Sequence, residues 1–328
     1  MKKILLTGDR PTGPLHLGHY VGSLKNRVLL QKDYESYIIV ADMQALTDNS
    51  HDPEKVKQNT LEVVADYLAV GIDPKHCHIF LQSKVPQLFE LTGYLSNLVS
   101  FDYLKHNPTL KTELEQKKIN NLGFISYPVS QAADILAFKA SIVPVGDDQN
   151  PILELTNKVA QQFNKMSKSN FFPHVKSINS EIGRLKGIDG NNKMSKSLDN
   201  AIYLKDDYST LKKKVNLMYT DPNHLKIEYP GQVEGNVVFM FLDAFDPDQE
   251  GLALLKENYK KGGVADGLVK KRLLEILEGV IAPIREKRLL LEKDPEYLLS
   301  VLREGTDHAK AVAEENLKFI REHFTLKL

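Results

Sequence analysis

The stretch that decides the fold is Gly8-Asp9-Arg10-Pro11-Thr12-Gly13-Pro14-Leu15-His16-Leu17-Gly18-His19. It follows a short apolar run, residues 3–7, that predicts a first β-strand, and it leads into helical apolar spacing over residues 17–30. Its glycines let the backbone approach a ligand closely, and the N-terminus of the following helix offers free N–H groups and partial positive charge. The sequence therefore predicts a strand, a phosphate-binding loop and a helix.

The two histidines of this stretch, His16 and His19, share a face in the first helical turn. Two imidazoles and a helix N-terminus aimed at one spot suit the charge that develops in phosphoryl or nucleotidyl transfer. Gly18, between them, leaves room for a flat ligand against the backbone. Such a pair alone is also typical of helix capping or of surface residues, whereas the whole string after a strand favours a nucleotide site.

The composition excludes several classes of protein. The 328 residues carry 43 basic and 43 acidic side chains, which excludes a globally basic DNA-coating protein but leaves room for a local RNA-binding surface. Cys77 is the single cysteine, so a disulfide framework and a Cys-rich zinc site are excluded, and no residue is assigned as a metal ligand. The cysteine count favours a reducing compartment, and no apolar run is long enough to cross a bilayer. We therefore expect a cytoplasmic protein that binds neither DNA nor membranes.

Strand and helix patterns alternate in the first half of the chain. Further strands are predicted at 36–41, 77–81 and 141–145, and further helices at 53–70, 86–99, 130–138 and 148–163. This alternation predicts parallel βαβ units in an α/β fold. After residue 204 only helical patterns occur, at 208–218, 236–242, 251–260, 264–286 and 307–324. We therefore expect an α/β domain over residues 1–200 and a helical domain over residues 201–328.

The pentapeptide Lys-Met-Ser-Lys-Ser occurs twice, at 165–169 and at 193–197. Two lysines on a closing loop can follow negative charge onto a leaving pyrophosphate. The first copy directly continues the predicted helix 148–163 and is consistent with a solvated helix end. The second copy follows a flexible approach, Gly187-Ile188-Asp189-Gly190-Asn191-Asn192. We therefore predict that the second copy is the functional one.

These motifs, in this order, resemble the HIGH and KMSKS signatures of class I aminoacyl-tRNA synthetases. Further strings narrow the resemblance to the bacterial tryptophanyl-tRNA synthetases: Ala41-Asp42-Met43-Gln44-Ala45-Leu46-Thr47, Ala132-Ala133-Asp134-Ile135-Leu136 and Val143-Pro144-Val145-Gly146-Asp147-Asp148-Gln149. The resemblance implies a Rossmann-like parallel sheet that binds ATP and tryptophan, followed by a helical domain that reads the tRNA anticodon.

The resemblance also implies roles for individual residues. Catalysis falls to His16, His19, Lys193 and Lys196. The implied ATP-binding residues are Asp9, Arg10, Pro11, Gly18, His19, Gly146, Asp147, Asp148, Leu185, Lys193, Met194, Ser195, Lys196 and Ser197. The implied tryptophan-binding residues are Asp134, Gln149, Gln131, Gln44 and Gly8. Asp134 is assigned to the indole N–H, and a carboxylate suits a ligand group that offers one donor and no acceptor.

The resemblance further implies ATP as a substrate with Mg²⁺, together with L-tryptophan, tRNA(Trp) and a homodimer. Two basic stretches of the helical half, residues 270–272 and 285–288, could contact tRNA phosphates or could form solvated helix faces. Three alternatives stay open: a tyrosyl-type synthetase, a small-molecule adenylyltransferase, and a catalytically silent paralog that senses amino acids or binds RNA. The intact histidine and lysine signatures favour an active synthetase.

Overall fold

The structure, a computed structural model, contains a parallel five-stranded sheet. It describes residues 2–117, 119, 121–146, 149–178, 185–190, 194 and 198–326. The strands are β1 (Ile4–Asp9), β2 (Glu35–Val40), β3 (Cys77–Leu81), β4 (Ile142–Pro144) and β5 (Lys176–Ile178). Their spatial order is β3-β2-β1-β4-β5, and all neighbours are parallel. The strand order reverses at β1, which is the Rossmann-like arrangement.

The sequence pattern located four of the five strands and missed β5. Strands β1 and β2 carry buried apolar residues, and β1 lies centrally because β2 and β4 pair with its two edges. The missed strand, β5, is short, and two of its three residues are exposed. It lacks an apolar pattern and exists because β4 offers a free edge, which local sequence cannot reveal.

Helices account for most of the remaining described residues. In the first part of the chain they are α1 (Leu17–His19), α2 (Lys25–Leu30), α3 (Asp42–Asn49), α4 (Pro53–Val70), α5 (Gln87–Ser96), α6 (Phe101–Lys105), α7 (Pro108–Lys117), α8 (Leu122–Leu136) and α9 (Asn150–Met166). A π-helical turn (Tyr20–Leu24) separates α1 from α2, and a 3₁₀ turn (Gln82–Lys84) follows β3. The later helices are α10 (Tyr208–Leu217), α11 (Val237–Phe245), α12 (Gln249–Lys261), α13 (Asp266–Leu291) and α14 (Pro295–Phe324).

Two helices begin earlier than their apolar patterns predict. Helix α8 starts at Leu122 rather than near residue 130, because the Asn121 side chain caps it by accepting from Phe124 N–H at 2.8 Å. Helix α14 starts at Pro295 rather than at 307, where Asp294 accepts from Tyr297 N–H at 3.0 Å. Helices α3, α6 and α7 were not predicted.

The structure divides the chain at places other than residue 200. One compact unit comprises residues 1–13, 23–180 and 294–328, and a second comprises residues 14–22 and 181–293. The C-terminal helix α14 therefore groups with the sheet-containing unit, whereas the predicted boundary at residue 200 assigned it to the helical domain. The functions assigned to the two parts stay predictions.

Helix α14 is held in the first unit by contacts with β3 and α5. Its Thr306 hydroxyl accepts from Leu81 N–H at 3.0 Å, and Arg321 contacts both carboxylate oxygens of Glu90 at 2.7 Å. Its apolar face joins the core of the sheet through Ala309, Ala313, Leu317 and Ile320. A long amphipathic helix at the end of a chain can dock on any exposed apolar surface, so its partner could not be read from periodicity.

The second unit consists of α1 and α10–α13 with connecting segments. Short backbone pairing joins residues 15–17 to residues 202–204: Leu17 N–H donates to the Ile202 carbonyl at 2.9 Å, and Leu204 N–H donates to the Leu15 carbonyl at 3.0 Å. This pairing explains why the histidine stretch groups with the later helices. No helix in the described ranges is long and apolar enough to span a bilayer.

Candidate active site

The Asp134 carboxyl group is buried in the first unit, on helix α8, with only 2% of the residue exposed. Its Oδ2 accepts hydrogen bonds from two amides, Gln44 Nε2 at 2.9 Å and Gln82 Nε2 at 2.8 Å. Its Oδ1 has no hydrogen-bond partner among the described residues. A buried carboxylate with one satisfied and one open oxygen is suited to accept a bond from a ligand donor.

Three elements bring these side chains together. Gln44 lies on α3 after strand β2, and Gln82 lies in the turn after β3, so both follow the carboxyl ends of neighbouring strands. Gln82 Oε1 also accepts from Gln44 N–H at 3.1 Å, which fixes the orientation of its amide. Sequence reasoning placed Gln44 and Asp134 in the pocket and missed Gln82. The signal that could have found Gln82 is its position directly after a buried parallel strand.

The environment of Asp134 opposes ionisation. Burial is the main cause that raises the pKa of the carboxyl group to about 8; the hydrogen bond from Gln82 opposes this rise, and the nearby Asp42 carboxylate adds to it. A bound donor at Oδ1 would favour the ionised form.

Two other predicted tryptophan contacts of this unit lie within α8 and immediately before α9. Gln131 lies three residues before Asp134 on α8, and its Nε2 approaches Gln149 Oε1 at 3.4 Å. Gln149 N–H donates to the Gly146 carbonyl at 3.0 Å and precedes α9. Asp147 and Asp148 lie outside the described residues.

Asp9 and Arg10 at the end of β1 already have ionic partners. The Asp9 Oδ2 accepts from Arg27 Nη1 at 2.6 Å and from the Tyr67 hydroxyl at 2.8 Å, and Arg27 is 4% exposed. Arg10 lies 3.5 Å from the Asp48 carboxylate. The Asp9 Oδ2 is therefore occupied by a buried ion pair that anchors the loop.

The loop around these residues is close to the sheet. A Cβ at Gly8 would collide with the Ile39 carbonyl on β2, so the close packing of β1 against β2 requires a glycine here whether or not a ligand binds. Pro11 is buried in the same loop.

The two predicted catalytic histidines lie in the second unit and cap α1 together. His16 Nδ1 accepts from Gly18 N–H at 3.1 Å, and His19 Nδ1 accepts from His16 N–H at 3.2 Å. The rings lie 3.8 Å apart. Because each Nδ1 accepts a backbone N–H, each neutral imidazole carries its proton on Nε2. Capping and phosphate binding are thus compatible, since capping uses Nδ1 and makes Nε2 a donor.

Gly18 and Met194 connect the two signatures within the second unit. A Cβ at Gly18 would lie 2.9 Å from the His16 ring and 3.7 Å from Met194 Sδ. Met194 is 2% exposed and is the described residue of the second Lys-Met-Ser-Lys-Ser copy. The structure therefore brings the centre of this copy to the histidine motif, as expected for a shared site. The remaining members of this copy, Lys193, Ser195, Lys196 and Ser197, lie outside the described residues.

The first Lys-Met-Ser-Lys-Ser copy ends helix α9. Ser167 N–H donates to the Phe163 carbonyl at 2.8 Å, and Lys168 adopts a left-handed conformation with φ of 51°. This is a helix C-terminal cap. The structure gives the first copy the helix-end geometry that its sequence context predicts.

Leu185, a predicted ATP contact, is buried in the second unit.

The arginines of the two basic stretches, which belong to the same unit, are paired with acidic side chains or buried. Arg272 pairs with Asp246 at 2.7 Å, Arg285 pairs with Glu278 at 2.6 Å, and Arg288 is 1% exposed. These three arginines stabilise the helices of the unit, which favours a structural role over phosphate binding.

A family model described as tRNA synthetases class I (W and Y) matches residues 2–281 of the chain. The chain belongs to this family. A tryptophan–tRNA ligase from Streptococcus mutans is 51% identical over 330 residues, covering 98% of this chain and 97% of the relative. The corresponding ligase of Clostridium longisporum is 52% identical over 328 residues, covering 98% and 96%.

Solved structures agree with the sequence relatives. The tryptophanyl-tRNA synthetase of Campylobacter jejuni, in complex with ADP and tryptophan, matches with a TM-score of 0.85 at 34% identity, covering 98% of this chain and 100% of that chain. The predicted synthetase family and Rossmann-like fold class are thereby confirmed.

Proposed function

We propose that this chain is a tryptophan–tRNA ligase. It activates L-tryptophan with ATP to tryptophanyl-adenylate and pyrophosphate, and it then transfers the amino acid to the 3′ end of tRNA(Trp). Relatives that are 51% and 52% identical over nearly the whole chain carry this activity in their names. A solved relative binds ADP and tryptophan, which supports ATP as the nucleotide.

The open Oδ1 of Asp134 is the observation that favours tryptophan as the amino-acid substrate. An indole presents one N–H donor and no acceptor, so its complement is a buried acceptor without donors of its own. The ionised form of Asp134 provides such an atom, because both amide donors bind its other oxygen and a donor at Oδ1 favours ionisation. Phenylalanine offers no donor and would leave that oxygen unpaired, which costs binding free energy.

The histidine motif supports the activation chemistry. The tryptophan carboxylate attacks the α-phosphate of ATP in line, and the bond to pyrophosphate breaks. His16 and His19 donate from Nε2 to the phosphate oxygens as negative charge shifts toward the leaving group. Lys193 and Lys196 neutralise the pyrophosphate, and this role is proposed from the sequence motif. The predicted ATP contacts at Asp9, Arg10, Pro11, Gly18, Gly146, Leu185 and Met194 belong to the same proposal.

Mg²⁺ is proposed to bind through the phosphates of ATP and not through a dedicated set of protein side chains. In the described part of the chain, one group of three metal-ligating side chains occurs, and none of its members is among the predicted site residues. Mg²⁺ in nucleotide sites commonly keeps several waters and binds through substrate phosphates. When bound there, it would neutralise phosphate charge.

A homodimer, a cytoplasmic location and anticodon reading by the helical domain predicted over residues 201–328 complete the proposal. They are inferred from the sequence resemblance to synthetases that charge tRNA.

Amino-acid-dependent exchange of pyrophosphate into ATP tests this proposal. We expect exchange with tryptophan and not with the other nineteen amino acids. In Asp134→Ala, kcat/KM for tryptophan should fall at least about 10-fold while phenylalanine loses much less, because the indole N–H then lacks its charged partner. Exchange driven by tyrosine would identify a tyrosyl-type enzyme, and no exchange with any amino acid would identify a silent paralog. A variant that keeps its full preference for tryptophan over phenylalanine would show that Asp134 is not the indole partner.

A further inference from the structure

Three metal-ligating side chains meet on one face of the sheet, within the first unit. They are Glu35 on β2, His78 on β3 and His308 on α14. Each offers one ligand atom, and these atoms all lie within 4.8 Å of one another. None of the three belongs to the active site described above.

The strand register explains why the side chains meet. Glu35 and Tyr37 are two residues apart on β2 and therefore point to the same face of the sheet. His78 on β3 is the direct partner of Tyr37 in the parallel pairing. Helix α14 covers this region, because its Gly305 lies directly against the Ile79 backbone of β3. The close approach brings His308, one turn later, onto His78.

The geometry within the cluster is well defined. His78 Nε2 lies 2.8 Å from Glu35 Oε1, and the rings of His78 and His308 stack at 3.7 Å with planes 9° apart. The Tyr37 hydroxyl hydrogen-bonds His308 Nε2 at 3.1 Å. The Glu35 side chain is 44% exposed and the His78 side chain 27% exposed, so an ion can enter from solvent.

We propose that Glu35, His78 and His308 bind a divalent transition-metal ion of the Zn²⁺ type that ties helix α14 to strands β2 and β3. Two imidazoles and one carboxylate form a donor set that Zn²⁺ uses in proteins, with water as a fourth ligand. Imidazole ligands disfavour Mg²⁺ and Ca²⁺.

Small side-chain movements complete the site. Zinc bonds of about 2.0–2.1 Å place tetrahedral ligand atoms roughly 3.3 Å apart. The 2.8 Å separation between His78 Nε2 and Glu35 Oε1 therefore widens slightly when the ion binds. The ligand nitrogen of His308 moves closer to the other two ligand atoms, which now lie within 4.8 Å of it. Glu35 and the exposed His308 can rotate because solvent borders both.

Calorimetric titration of the untagged, metal-stripped full chain with ZnCl₂ tests the proposal, with thermal unfolding as a second readout. We expect one site per chain, a rise in Tm on adding Zn²⁺, and no rise with MgCl₂. Replacement of a ligand should weaken binding by at least about 10-fold, the loss typical even of residues that only orient a ligand. The test variants are His308→Gln and Glu35→Gln, and the second of these keeps a hydrogen-bond acceptor toward His78.

The matched control is His51→Gln, which changes an exposed histidine of the same unit far from the cluster in sequence. It should bind Zn²⁺ like the wild type. Circular dichroism without metal establishes that each variant is folded. Equal Zn²⁺ binding by wild type and His308→Gln would overturn the proposal, because the ten histidines of the chain would then bind the metal non-specifically. A Tm rise with Mg²⁺ equal to that with Zn²⁺ would also overturn it.

Discussion

At the scale of single residues, Asp134 combines its proposed role in amino-acid specificity with a cost to stability. Its carboxyl pKa rises from 3.8 to about 8, chiefly through burial. Between these values the unfolded chain has released the proton and the folded chain keeps it. The contribution of this group to the free energy of unfolding is therefore fully present below pH 3.8. It falls by about 1.4 kcal/mol for each pH unit as the pH rises from there toward 8.

Asp134→Asn keeps the shape and removes the titration. The Tm of this variant minus that of the wild type should therefore increase between pH 5 and pH 8 and level off above. Thermal unfolding in the absence of ligands, followed at several pH values, measures the difference. A difference for Asp134→Asn that does not vary with pH would contradict the raised pKa.

Gln82 orients Asp134 through a hydrogen bond. We expect its replacement to lower kcat/KM for tryptophan although the side chain need not touch the reacting atoms. Hydrogen bonds to a charged group contribute about 1.5–3 kcal/mol, so Gln82→Leu should lower kcat/KM for tryptophan by about 10-fold or more. Because the Gln82 amide lowers the pKa of Asp134, its loss should also move the acidic limb of the pH profile to higher pH. Steady-state kinetics across pH tests both effects. The control is Gln87→Leu, at a buried amide that bonds Glu314 instead; identical profiles for the two variants would refute the positioning role.

At the scale of elements, the two Lys-Met-Ser-Lys-Ser copies share a sequence and differ in context. The first ends α9 as a helix cap, and Met194 of the second lies buried beside the histidine motif. Replacing both Lys193 and Lys196 with Ala should slow adenylate formation by about 10²–10³-fold for each lost donor, with little effect on tryptophan affinity. The same change at Lys165 and Lys168 should have little effect. Single-turnover adenylate formation decides between the copies, and greater sensitivity at the first copy would reverse the assignment.

Helix α14 depends on a glycine for its close approach to β3. A Cβ at Gly305 would lie 2.7 Å from the Ile79 carbonyl carbon, so Gly305→Ala should force the helix outward. Such overpacking costs about 1–3 kcal/mol and should lower the Tm by several degrees. Gly279→Ala in α13 is the matched control, because a Cβ there meets no atom within 4 Å. It should stabilise slightly, by up to about 1 kcal/mol, since alanine is the better helix former. Equal effects of both changes would mean that α14 does not contact β3 this closely.

At the scale of the whole molecule, the C-terminal helix completes the unit that contains the sheet. A chain ending at Lys293 would lose α14 and expose apolar residues that it covers, among them Phe163 and Phe171, whose rings pack against Phe319 of α14. We expect this truncation to bind the dye 8-anilinonaphthalene-1-sulfonate strongly and to show a lower Tm or aggregation. A chain ending at Thr325 keeps α14 and should behave like the full protein. A well-folded chain ending at Lys293 would contradict the assignment of α14 to this unit.

The sequence by itself determined the features that depend on local pattern. Strands β1 to β4, most helices of the first unit and the histidine motif follow from apolar periodicity, glycine placement and capping residues. Asp134 and Gln44 were placed through motif resemblance, and the structure joins them by a hydrogen bond across 90 positions of sequence.

Only the tertiary structure decided which surfaces meet. Periodicity shows that a helix has an apolar face and leaves its partner undetermined, so the docking of α14 on β3, 225 positions away at the Leu81–Thr306 contact, could not be predicted. The same reason explains why β5, Gln82 and the cluster of Glu35, His78 and His308 were missed. Strand β5 and the cluster have unremarkable local sequences, and Gln82 is marked only by its position after a buried strand. Each gains its role from atoms that come close only when distant elements pack together.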